Sequence, residues 1–474
     1  MSFTSLSFVL FLLAVVVCYY VLPAKCQKYI LFLGSIVFYL FGGIKAFILL
    51  FLSAIVTYVG ARMLGKWQEQ LKRKAILVIT IVFNLSLLIG LKYFGGYRES
   101  LGLVLPIGIS FYTLSAIGYV IDVYRNKYCP ETNILDFLLY ITYFPHILQG
   151  PIARYDGLKS QFDKKHVFSY KILTSGVQLM LWGYIKKLVI ADRVAIFVDS
   201  VYSNINTQSG TILFVASILY TIQIYMDFSG CVDIALGASE IFGIELIQNF
   251  KQPYLSNSIN DFWRRWHISL SSWFRDYLYI PLGGNRKGNV RRWINVLIVF
   301  TVSGFWHGVG INYIIWGLLH GIYQVLGAVF MPVRERIRLI FKIDAQSFIY
   351  KKVEMVITFL LVNFAWIFFR LTNVKDAFHV VKEIFTDWTP WVLTNGVLSE
   401  YGVSSNQWHV VLGFMVIAGI VDVLHERGIH IRTTISKQNL IVRWAIYGMA
   451  VFSIVLFGVY GVGYDATGFI YMNF

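Results

Sequence analysis

Apolar runs long enough to cross a bilayer recur from one end of this 474-residue chain to the other. They fall near residues 4–22, 29–44, 46–61, 75–91, 103–121, 172–191, 211–226, 228–244, 294–311, 313–331, 354–369, 408–424 and 444–462. A helix needs about 20 residues to cross about 30 Å of hydrocarbon. Only closed barrels and helices satisfy their backbone there, so the runs predict an all-α polytopic membrane protein with about 10–13 spans. The chain is 57% hydrophobic and only 14% charged, against roughly 25% charged in an ordinary soluble domain.

A formal net charge of +16 would suggest nucleic acid in a soluble protein. Here the basic residues collect between spans, at 62–74, 154–171, 264–292 and 334–352. That is the loop bias of a cytoplasmic face, with the anionic head groups of membrane lipids as counter-charge and no nucleic acid partner. Loops 197–210 and 385–407 are poor in Lys and Arg and are expected on the opposite side. The first run lacks a basic leader and is followed by more spans, so no cleaved signal peptide is expected and Met1 is taken as the start. Cys18, Cys26, Cys129 and Cys231 show no paired spacing, which indicates neither a zinc site nor a disulfide framework. With no linker or repeat, residues 1–474 read as a single membrane domain.

Two segments break the pattern. Residues 143–155, "YFPHILQGPIARY", carry helix breakers and predict a re-entrant turn bearing His146 and Arg154. Residues 259–292 hold seven basic residues, too many for a lipid-exposed span at about 2.5–3.5 kcal/mol per mid-bilayer charge. On a helical wheel, Phe262, Trp266, Leu270, Trp273, Tyr277 and Ile280 share one arc, opposite Asp261, Arg264, Arg265, Arg275 and Asp276. An amphipathic helix or helix pair follows, with His267 at the edge of its apolar arc, where it would meet a water-filled cavity.

"SGFWHGVGIN", residues 303–312, places His307 in a stretch without Asp, Glu, Lys or Arg from Trp293 to Val333. Ionisable groups inside spans are costly and mark sites or pathways, although one imidazole in a bundle is often only packed. Ser303, Gly304, Gly308 and Gly310 permit close helix approach or leave room for a substrate chain. Counted from Arg292 at about 1.5 Å per residue, His307 lies roughly 22 Å into the membrane, and His320 reaches a similar depth if the two runs form a hairpin. A neutral imidazole there can take a proton from a hydroxyl attacking an acyl carbonyl. No nucleophile elbow, phosphate loop or metalloprotease motif competes with that reading. A polysaccharide or lipid transporter stays open on these grounds, as does a subunit that only anchors a partner enzyme.

The run "NDFWRRWHISLSSWFRDYLYIPLGGNR" (260–286) followed by "SGFWHGVGINYIIWGLLHG" (303–321) closely resembles the membrane-bound O-acyltransferase family, in its bacterial branch that O-acetylates alginate and D-alanylates teichoic acid. Matching stretches at 106–125, 143–155, 223–237 and 249–263 extend the likeness over about 100–330. The resemblance implies a ring of helices around a thin, funnel-shaped centre, with His307 catalytic and His267 as the second polar position. It implies O-acylation of an extracytoplasmic polysaccharide, acetyl by the form of "LYIPLGGNR", with D-alanyl transfer to a cell-wall polymer as the alternative. The donor would be a cytoplasmic thioester such as acetyl-CoA or an acyl carrier, used as substrate, with no bound cofactor or metal. A bacterial cytoplasmic-membrane location and an extracytoplasmic acyl-esterase-like partner protein are also implied. Arg264, Arg265 and Arg275 would attract donor phosphates, and Trp306, Asn312, His320, His146 and Asp227 are the remaining candidate substrate contacts.

Overall fold

The computed structural model describes residues 1–100, 102–103 and 105–460, and among them every regular element is a helix. Six helices are long and apolar enough to cross a membrane: Ile44–Lys66, Gln70–Tyr93, Gly210–Ile241, Phe348–Arg370, Ser405–Glu426 and Leu440–Phe457. Ile311–Val329 and Met331–Ile340, bent by 50°, make a seventh if taken as one span. The chain is an all-α, multi-pass membrane protein. Several other expected runs form shorter helices, such as Leu6–Val21, Gln27–Leu40 and Ile109–Tyr124. At about 1.5 Å per residue these rise only some 21–24 Å, because apolar residues at the ends of each run belong to turns. Position 104 and the end of the last expected run, 461–462, lie outside the described residues.

The expected pair 211–226 and 228–244 is instead one 32-residue helix, Gly210–Ile241. Asp227 stands between those two runs, yet a charge can sit inside a helix when a neighbour answers it. That neighbour is Lys187, whose Nζ lies 2.7 Å from Asp227 Oδ1 and 2.8 Å from Asp192 Oδ1. Lys187 stands in a π-helical stretch, Ile185–Ala191, in which all seven residues are buried. Beside it, Lys186 donates to Ser229 Oγ at 2.9 Å.

The contacts divide into two compact units. The first comprises residues 1–183 and 231–248. Within it, Ile44–Lys66 and Gln70–Tyr93 are joined by buried hydrogen bonds, Ser53 Oγ to Asn84 Oδ1 at 2.6 Å and Asn84 Nδ2 to Thr57 Oγ1 at 3.0 Å. Lys28 and Lys159 both pair with Asp136 and Asp163 at 2.6–2.8 Å, tying the starts of Gln27–Leu40 and Ile134–Thr142 to the end of Tyr155–Phe162. Burial works against the charge on Lys159, but these carboxylates outweigh it and raise its pKa.

The second unit comprises 184–230 and the described chain from 249 onward. At its heart is the closely packed hairpin of Gly288–His307 and Ile311–Val329. A Cβ on Gly304 would meet the Tyr313 carbonyl oxygen at 2.3 Å, and one on Gly317 would meet that of Phe300 at 2.2 Å. Small residues here serve close helix approach. Residues 259–279 form two seven-residue helices, Ile259–Arg265 and Ile268–Phe274, then a π-turn, Arg275–Tyr279. The wheel's apolar arc is buried from Phe262 to Tyr277, but Ile280 is exposed, since the π-turn Arg275–Tyr279 departs from the α-helical period.

Candidate active site

His307 is the last residue of its helix, and Gly308 continues in extended backbone. Glycine suits this position because a Cβ on Gly308 would sit 2.2 Å from the Tyr313 ring. The imidazole is 2% exposed, with Trp306, Trp316 and Phe369 around it at ring-centroid distances of 4.8, 4.9 and 5.5 Å.

His267 falls at the break between the two short helices, with φ 45° and ψ 53°. This left-handed conformation is uncommon for a residue with a Cβ and accompanies functional constraint more often than chance. Asn249 holds the break, its carbonyl and its side chain accepting from the backbone N–H groups of Ile268 and Ser269 at 3.0 Å each. The expectation that His267 meets a water-filled cavity is corrected by its position. It is fully buried, against Phe228 at 4.9 Å and Trp306 at 6.4 Å. Burial disfavours the imidazolium and lowers its pKa to about 3.

Trp306 therefore touches both histidines. Trp316 does the same for His307 and His320, with its ring 5.3 Å from the latter. His320 is fully buried among Phe262, Trp263, Phe300, Trp316, Tyr323 and Trp366. The three imidazoles thus follow one another through two shared indoles. Asn312, Trp316 and His320 recur every four residues, which places them on one helix face. That spacing was the sequence signal for Trp316, a residue the wheel over 261–280 could not reach. Asn312 is buried and donates to the Phe368 carbonyl at 3.4 Å.

A cavity of about 730 Å³ opens beside this chain of rings. Arg264, Arg275 and Arg292 line it, and Trp263, Phe300 and Ser303 form part of its wall. Ser303 lies one helical turn before His307, and Trp263 and Phe300 touch His320. Arg264 is exposed and Arg292 half-buried, and neither has an ion-pair partner among the described residues. Arg275 also lines the cavity while pairing with Asp276 at 2.9 Å. Arg265 departs from its neighbours, being absent from the lining and held by Asp261 at 3.0 Å and Glu426 at 2.6 Å. Partial burial opposes its charge, yet these two acids raise its pKa. Arg292 was missed in the sequence because it reads as one more loop charge.

Two candidates are committed elsewhere. His146 belongs to the first unit, where Nε2–H donates to the Tyr140 carbonyl at 2.8 Å between the rings of Tyr140 and Tyr143. Asp227 is engaged by Lys187. Among the described residues no three His, Cys, Asp or Glu side chains come together as a metal site, and no cysteine is joined in a disulfide.

An aromatic-lined row of buried histidines thus stands beside a basic cavity in a polytopic helical membrane protein. Residues 129–368 match MBOAT, the membrane-bound O-acyltransferase family. The chain is 34% identical over 418 residues to the "Probable alginate O-acetylase AlgI" of Pseudomonas aeruginosa, covering 84% of this chain and 77% of that one. It is 33% identical over 406 residues to the "Peptidoglycan O-acetyltransferase" of Helicobacter pylori, covering 77% and 76% respectively. To the "Teichoic acid D-alanyltransferase" of Bacillus subtilis it is 32% identical over 229 residues, covering 46% and 57%. The chain belongs to the membrane-bound O-acyltransferase family and is an acyltransferase.

Proposed function

We propose that the protein transfers an acyl group, acetyl in the first instance, from a thioester donor on its cytoplasmic side to a hydroxyl of an extracytoplasmic polysaccharide. The observation that carries this reading is the cavity. Its lining joins arginines suited to donor phosphates with Ser303, one turn from a buried imidazole. His307 takes the proton of the acceptor hydroxyl as its oxygen attacks the thioester carbonyl. The C–S bond breaks, an ester C–O bond forms, and the imidazolium returns the proton to the departing sulfur, so the products are ester and thiol.

The relatives' names favour acetyl over D-alanyl transfer through the longer matches, those to the Pseudomonas and Helicobacter proteins. An extracytoplasmic esterase-like protein would complete delivery to the polymer. Sealed vesicles of known orientation test the reading. Labelled acetyl-CoA supplied on the face bearing 66–73 and 287–291 should yield labelled O-acetyl ester on a polymer confined to the other face. Label appearing only when donor and polymer share one face would overturn transfer across the bilayer. Cysteine labels at 66–73 and 204–209 reacting from the same side would overturn the orientation.

A further inference from the structure

Behind the inner wall of the cavity stand three side chains whose hydrogen-bonding capacity is unmet. Trp263 lines the cavity, and its ring lies 5.1 Å from His320 and 5.9 Å from Trp316. His320 and Trp316 are 5.3 Å apart. Trp263 is 8% exposed, and Trp316 and His320 are fully buried. Neither indole N–H, and neither ring nitrogen of His320, has a hydrogen-bond partner among the described residues.

A buried polar atom left unpaired costs the full free energy of its desolvation, and such atoms are rare in native proteins. Four of them in one cluster are not explained by packing. Phenylalanine at 320 would fill a space already walled by six aromatic rings without that cost. The cluster also has a definite place along the hairpin. His320 packs beside Phe300, seven residues before His307, and so lies about 10 Å from it toward the end bearing Arg292. Trp316 closes that distance, since its ring touches His320 and also lies 4.9 Å from His307.

These groups ask for a particular ligand chemistry. The indoles can only donate, and a neutral imidazole can donate from one nitrogen. None is a cation, so phosphate suits the arginines of the cavity and not this cluster. An uncharged acceptor on a slim chain fits. We propose that Trp263, Trp316 and His320 form an inner subsite that takes carbonyl oxygens of the acyl donor's arm, holding the chain between the arginines and His307. The proposal rests on the reading of the cavity as the donor's site.

The test compares acetyl-CoA with S-ethyl-CoA, which lacks the thioester oxygen, on the purified full-length protein in lipid nanodiscs, with binding read by tryptophan fluorescence. The wild type should prefer acetyl-CoA about three- to tenfold, the scale of one neutral hydrogen bond. His320→Phe should bind both compounds about three- to tenfold more weakly at an unchanged ratio, because the arm's amide carbonyls are common to both, while its melting temperature stays equal or rises; His320→Gln, which keeps an N–H, should restore part of the affinity. A ratio that falls to one in His320→Phe would overturn the placement, putting the thioester carbonyl at His320 and not at His307. Unchanged affinity for both ligands in His320→Phe and in Trp263→Phe would overturn it and return the cluster to aromatic packing. If the wild type binds neither compound, the reading of the cavity as a donor site fails first, and the subsite falls with it.

Discussion

Two buried polar regions of the second unit treat their polarity in opposite ways. Around Lys187 each charge is answered by another, with carboxylates of Asp192 and Asp227 at 2.7–2.8 Å. Around His307 and His320 the neighbours are rings: Trp306, Trp316, Trp263 and Phe369. Both regions lie deep in an apolar body where a charge is expensive. The first spends its polarity on architecture, neutralising itself to fix a π-helical segment against the Gly210–Ile241 helix. The second keeps polar groups amid apolar surfaces, the arrangement expected where binding or chemistry needs them. Burial of a polar residue is therefore no guide to its role until its partners are known.

The sharpest way to break this comparison is to remove one imidazole. His307→Gln should insert and fold normally, since the amide can still hydrogen-bond, but lower polymer acylation by about 10²-fold or more, the scale of lost acid–base catalysis. Normal expression with near-normal acylation, read by mass analysis of the surface polymer, would move His307 into the architectural class. His267→Ala should be equal or milder. Because both histidines touch Trp306, the double variant should be no worse than the poorer single, as catalytic groups acting as a unit are non-additive.

The ion cluster should fail differently. Lys187→Ala takes the shared cation from the buried Asp227 and the part-buried Asp192, and breaking such a buried pair costs about 3–5 kcal/mol. The expected outcome is loss of folded protein in the membrane, with any surviving fraction retaining full specific activity. Replacing Lys187 by Met together with Asp192→Asn and Asp227→Asn removes the charges jointly and should recover much of the yield. A well-folded Lys187→Ala protein that is catalytically dead would place Lys187 in the reaction and erase the distinction drawn above.

Much of the second region could be read in advance, and little of the first. His307 is conspicuous because no charge surrounds it, and Gly304 and Gly308 announce a close helix approach by their size alone. The wheel over 261–280 sorts buried from exposed residues as far as Tyr277, since that depends only on local period. It cannot show the break at His267, because a left-handed histidine carries no compositional mark of the kind glycine does. The pairing of Lys187 with Asp227 joins residues 40 apart and is a property of packing. The apolar runs accordingly divide at Asp227 what the fold shows as one long helix. Among the arginines the local pattern gives a cluster, and only the fold tells which of them reach the cavity.

That division gives the mildest prediction and the finest test of the comparison, because the arginines repeat the contrast within one short segment. Arg265 is answered by Asp261 and Glu426, as Lys187 is by its carboxylates, whereas Arg264 and Arg292 line the cavity without an ion-pair partner among the described residues. Arg264→Gln and Arg292→Gln should each raise the apparent donor KM several-fold and leave kcat close to normal, since contacts to a remote phosphate are equal in ground and transition states. Raising salt should weaken donor binding in the wild type and do so less in these variants, because screening acts on charges the variants no longer carry. Arg265→Gln should leave KM unchanged and lower stability by no more than about 1 kcal/mol, the usual worth of a partly exposed ion pair. A KM effect confined to Arg265 would reverse the assignment, making the paired arginine the binding group and the unpaired ones mere consequences of a positively charged membrane face.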